Sequence, residues 1–130
     1  MGVLASTFPA FALRKIFSSD GKIGLGTSAS TPVSGGDYDD VDASSAQWST
    51  PETANNVASL HNNGKVYFPE ATASYTVNHI HIKNHIGGGT NLILYAIAVD
   101  SLTLSVADRV KINKYVAGGN RGVTVSLWEV

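Results

Sequence analysis

The stretch NHIHIKNH, from Asn78 to His85, holds three of the chain's four histidines. Successive side chains of a β-strand point to opposite faces, so His79 and His81 share one face and Ile80 and Ile82 the other. The isoleucines are expected to point into a core, which makes this segment a half-buried strand and sets the alternation against which the rest of the chain is matched.

Outward from that strand, short β-rich runs recur between turn residues. They are KIGLGT (22–27), VASLH (57–61), KVYFP (65–69), VNHIHIK (77–83), NLILYAIAV (91–99), SLTLSV (101–106), RVKINKYV (109–116) and VTVSLW (123–128). Asn62-Asn63-Gly64 has the composition of a hairpin turn, because Asn-Gly readily takes positive φ. Ahead of them, residues 6–18 fit one short helix. Ser6 or Thr7 is its N-cap candidate, Pro9 suits the first turn, and Phe8, Phe11, Ala12, Ile16 and Phe17 recur at helical spacing. The pattern predicts an all-β fold: an antiparallel β-sandwich or jelly roll of seven to eight strands with one short N-terminal helix. Residues 1–20 form the arm and helix, and residues 21–130 the single sandwich domain.

Composition narrows the function classes. At 130 residues and 43% hydrophobic content the chain is sized for one core. Nine basic and ten acidic residues give a formal charge of -1, without the basic excess that binding to nucleic acid or an anionic membrane requires. The absence of cysteine excludes disulfides, thiolate metal sites and cysteine nucleophiles. The apolar N-terminus carries Arg14 and Lys15 after its apolar stretch instead of before it, so a soluble chain without a leader peptide is expected.

His79, His81 and His85 are the metal-ligand candidates. Two histidines alternating on a strand can chelate zinc, copper or iron, and His61 is the one candidate from outside the cluster. A working site needs a further ligand and acceptors that orient each imidazole. The His-x-His strand is similar to that of the cupin enzymes, but Ala73 stands where their glycine is expected, and no Pro-x-Gly strand with a further histidine follows. The expectation is therefore histidines on a sheet surface, with no cofactor, no catalytic residue and no enzyme. GLGTSAS and GGGTN lack the Lys-Ser/Thr ending of a P-loop and read as turns. The acidic run Asp37, Asp39, Asp40 and Asp42 lacks the spacing of a calcium loop and reads as a solvated loop.

A series of landmarks joins these segments. LRKIF ends the helix, IGLGTSASTP leads to Pro32, Gly35-Gly36-x-Tyr38 lies in SGGDYDD, and Trp48 follows in AQWS. Then come ANN at 54–56, VYFPEA at 66–71, VNHIHI, GGGTNLIL, LSVADRVKI and the closing GVTVSL. In this order the chain resembles the small tail-fibre-like and head-decoration proteins of tailed bacteriophages, with Ala107 where they often carry glycine. The resemblance implies a non-enzymatic virion structural protein, assembled in the bacterial host cytoplasm and partnered by the major capsid protein or another virion protein. One domain without a heptad or repeat for a shaft favours a capsid decoration (cement) protein, with a small tail-fibre or tail-tip subunit as the alternative. Exposed sheet edges and Trp48 and Trp128 call for self-association, with three copies as the expected number. Leu4, Phe8, Phe11 and Phe17 concentrate apolar surface beside a terminus and are the partner-binding candidates.

Overall fold

A computed structural model describes residues 12–14, 16–17, 21–36, 38–43, 48–54, 57–84, 91–116 and 124–128. Among them the chain forms β1 (Lys22–Gly26), β2 (Val41–Asp42), β3 (Glu52–Ala54), β4 (Val57–His61), β5 (Val66–Tyr67), β6 (Tyr75–Asn84), β7 (Leu92–Leu104), β8 (Lys111–Ile112) and β9 (Thr124–Trp128). All pairings are antiparallel. The sheets have the orders β2-β1-β6-β7, β3-β4-β9 and β5-β8. The fold is all-β, as the alternation predicts.

β6 is the centre of the largest sheet. Ile80 and Ile82 face the core with Ile23 and Leu25 of β1, and Leu60, Val66 and Ile112 of the smaller sheets close it together with Phe68, which follows β5. Each large aliphatic side chain buried there contributes roughly 1.5–3 kcal/mol. Residues 12–14 and 16 are helical, and the Phe17 N–H donates to the Leu13 carbonyl (3.1 Å). Leu13 is fully buried, and Asn84 Nδ2 donates to the Ile16 carbonyl (2.8 Å), so this turn is fastened to the end of β6.

Several sequence expectations change. NLILYAIAV and SLTLSV are one strand, since Asp100-Ser101 does not turn the chain but lies in a register shift between Val77 and His79 of the partner strand. Such a bulge absorbs residues that have no strict cross-strand partner. Asn62-Asn63-Gly64 is not a hairpin turn, because β4 and β5 belong to different sheets. Buried Asn62 donates through Nδ2 to the Gly64 carbonyl (2.9 Å) and the Asn113 carbonyl (2.8 Å), which steers the chain across to the β8 side. RVKINKYV keeps only Lys111–Ile112 as strand, and β2 and β3 arise in stretches without a strand pattern.

Candidate functional site

The face of β6 opposite the core carries His79, His81 and Lys83, and the chain itself covers much of it. In the β1–β6 register Gly24 lies opposite His81 and Gly26 opposite His79. A Cβ on Gly26 would sit 2.3 Å from the His81 ring and 2.8 Å from the Ser28 carbonyl oxygen. One on Gly24 would sit 2.6 Å from Asp40 Oδ1 and 3.0 Å from Lys83 Cε. The alternating glycines of KIGLG thus clear a floor for side chains arriving from β6 and from the loop after β1.

That loop folds back over the floor. The Thr27 N–H donates to the Thr31 carbonyl (2.9 Å), the Val33 N–H to the Leu25 carbonyl (2.9 Å), and Ser28 Oγ accepts from the Ser30 and Thr31 N–H groups (3.3 and 3.1 Å). This is the serine-turn chemistry expected of such a stretch. Further along, Tyr38 returns to the sheet. Its hydroxyl accepts the Leu25 N–H (2.6 Å) and donates to Asp40, whose second carboxylate oxygen accepts from Lys83 Nζ (2.9 Å). The Tyr38 ring also packs against Phe68 and Tyr75, each at a centroid distance of 6.3 Å. Burial raises the Tyr38 phenol well above its ordinary value, and the bond to Asp40 adds to the effect.

His81 is fully buried. Its Nε2 lies 2.9 Å from the Ser28 carbonyl oxygen, which can only accept, so Nε2 bears the hydrogen and Nδ1 is the bare nitrogen. Nδ1 is buried with no hydrogen-bond partner among the described residues. Burial pushes His81 below its ordinary value and Lys83 and His79 repel the added charge, while the Ser28 bond and Asp40 act the other way. The imidazole is therefore neutral at pH 7 and serves as a strut between strand and loop.

Among the described residues, His61 does not join the histidine pair of β6. His79 and His81 have ring centroids 6.4 Å apart, and His79 Nδ1 is 2.7 Å from the Asn78 amide oxygen. His61 lies on β4 in another sheet with its ring 4.4 Å from that of Tyr115. His85 lies outside the described residues. Among the described residues no group of three or more His, Asp or Glu side chains is placed to hold a metal.

The acidic run is not simply a solvated loop. Asp40 is drawn into the covered face by Lys83, whose side chain is 8% exposed, and Asp42 joins β2 and pairs with Lys22. Asp39 stays exposed, and Asp37 lies outside the described residues. Among the partner-binding candidates, Phe17 is half-buried with its ring 4.3 Å from that of Trp48, whose Nε1 donates to the Ala43 carbonyl (2.7 Å). Leu4, Phe8 and Phe11 lie outside the described residues, as does the Trp128 side chain.

Sequence reasoning missed Tyr38, Asp40 and Lys83 as one unit. The available signal was the pair of glycines in KIGLG beside a strand rich in large polar side chains, together with a tyrosine flanked by acids.

The arrangement holds a loop down against the sheet. The family model described as Podophage GP4 fiber I protein gp80 matches residues 2–116 of the chain. No curated protein and no solved structure is matched. The chain belongs to the gp80 family of podophage fiber proteins.

Proposed function

We propose, on the premise of that membership, that the chain is a non-enzymatic structural subunit of the fibre apparatus of a podophage virion, assembled in the host cytoplasm and held there by other virion proteins. The observation that carries this reading is the family match across residues 2–116. It favours the tail-fibre alternative over the head-decoration role that the chain length suggested. The site chemistry is in keeping with it, since His81 and Lys83 on the covered face of β6 bond to Ser28 and Asp40 of the same chain.

Gold labelling of an epitope-tagged copy on purified virions, followed by cryo-EM, tests the placement. Label on the tail or its fibres is the expected result. Label spread over the head surface would replace the fibre reading with decoration, and its absence from virions would remove both.

A further inference from the structure

Two adjacent asparagines carry the chain from β4 to β5, and their surroundings are opposite. Asn62 is 1% exposed, and besides the bonds of its Nδ2 to the Gly64 and Asn113 carbonyls its own carbonyl accepts the Tyr115 N–H (3.0 Å) and its backbone bridges to Trp48. Separate segments of the chain are thus clamped at one residue. Asn63 is exposed, and Gly64 after it lies in a bend. Among the described residues no hydrogen bond holds the Asn63 side chain or the Gly64 N–H.

Asn63 is the only asparagine of the chain that is followed by glycine. Glycine has no Cβ, so its nitrogen meets no steric barrier in approaching the side chain before it, and its backbone takes the conformations that the approach requires. We propose that Asn63 is a site of spontaneous deamidation, with the Gly64 nitrogen as nucleophile and water as co-reactant. The Gly64 nitrogen bonds to Asn63 Cγ, the bond from Cγ to Nδ2 breaks, and Nδ2 leaves as ammonia with the proton that the Gly64 nitrogen gives up. Water then opens the cyclic imide. Attack at Cγ yields aspartate, while attack at the main-chain carbonyl yields isoaspartate, in which the chain runs through the side-chain carbon.

Burial and bonding spare the other asparagines nearby. The Asn62 amide nitrogen is engaged twice and the residue after it carries a Cβ, and buried Asn84 donates to the Ile16 carbonyl. The clamp also gives the modification its consequence. Isoaspartate lengthens the main chain between Asn62 and the Gly64 carbonyl to which it donates, so that buried bond is displaced. One neutral amide becomes one anion, which takes the formal charge from -1 to -2. The inference goes beyond the fibre reading and stands apart from it, since it is read on the purified chain.

Incubation of the full chain in mildly alkaline and in mildly acidic buffer, followed by peptide mapping and thermal denaturation, tests it. The peptide containing Asn63 is expected to gain the mass difference between NH and O and to separate into aspartyl and isoaspartyl forms, faster in alkali, where the amide nitrogen is more readily deprotonated. The thermal midpoint of the converted chain should fall by about 3–8 °C, the loss expected when one buried hydrogen bond is given up. Asn63→Gln, with a side chain one carbon longer at an exposed position, should keep both its mass and its midpoint through the same incubation. A synthetic peptide of residues 61–65 sets the rate of the unrestrained reaction. Conversion of that peptide while Asn63 of the folded chain stays intact overturns the proposal, as does conversion at Asn62 instead. Conversion at Asn63 with an unchanged midpoint overturns the link to the clamp.

Discussion

Strand β6 has one neighbour on each side, and the two flanks are finished in different ways. On the β1 side the chain seals itself: β2 pairs only with Lys22 and Ile23, and beyond them the Val33 N–H and the Tyr38 hydroxyl take up the backbone groups of Leu25. The covered face there is polar, with a lysine held by an aspartate 43 positions away in the sequence. On the β7 side a strand of 13 residues ends the sheet among the described strands, with apolar side chains half in solvent. Buried polar groups must find partners within the chain because leaving one unpaired costs about 1–3 kcal/mol, more for a charge. Apolar surface carries no such requirement and can wait for a partner. The sealed flank therefore serves the stability of the single chain, and the open one leaves apolar side chains in solvent.

The sharpest way to break this contrast is to remove one member of the sealed pair. Asp40→Ala leaves Lys83 without its carboxylate and Tyr38 without its acceptor. The partial exposure of both charged side chains reduces the full penalty of a broken buried ion pair, so a loss of about 2–4 kcal/mol is expected by urea denaturation. A loss below about 0.5 kcal/mol, the level of an ordinary surface substitution, would mean that the flank is not sealed. Gly26→Ala tests the floor. The added methyl meets both the His81 ring and the Ser28 carbonyl oxygen, and a loss of about 1–3 kcal/mol should appear in the same assay.

Acid probes the strut. Because His81 has a lowered pKa when folded, the unfolded chain binds its proton more readily below the ordinary value of 6.5. Stability from this group is present above that pH and is lost as pH falls toward the folded value, with a slope of at most about 1.4 kcal/mol per pH unit. Denaturation midpoints measured from pH 7.5 downward should show this component in the wild type and lack it in His81→Gln. The smallest effect is expected where the chain leaves β7. Ala107 has a φ of +73° in the turn closed by the Asp108 N–H to the Ser105 carbonyl (3.0 Å) and the Ala107 N–H to the Ala71 carbonyl (2.7 Å). Ala107→Gly relieves that conformation and should raise the thermal midpoint by an amount worth about 0.5–1 kcal/mol. A lower midpoint would show that the turn is not strained.

The period of two in VNHIHIK was enough to place Ile80 and Ile82 inside and to assign the fold class, because alternation is a local property of the strand. That His81 would also be buried was not legible. Its cover comes from Ser28, 53 positions away, and depends on two glycines whose role appears only once β1 and β6 are in register. The same holds for Asp40, which in sequence is one acid among several and in space is the partner of Lys83. Asp100, which parted the two runs, misled for the opposite reason. It is a turn-forming residue, yet strand pairing on both sides absorbs it as a bulge, since tertiary context overrides a local preference.

The Tyr38 hydroxyl on the Leu25 amide makes that one hydrogen a clock for the loop. An amide held by a neighbouring strand exchanges with solvent deuterium only when the strands part, whereas this one is released whenever the segment carrying Tyr38 lifts. Exchange at Leu25, followed beside a β6 amide such as that of Ile80, would therefore time excursions of the cover separately from opening of the sheet.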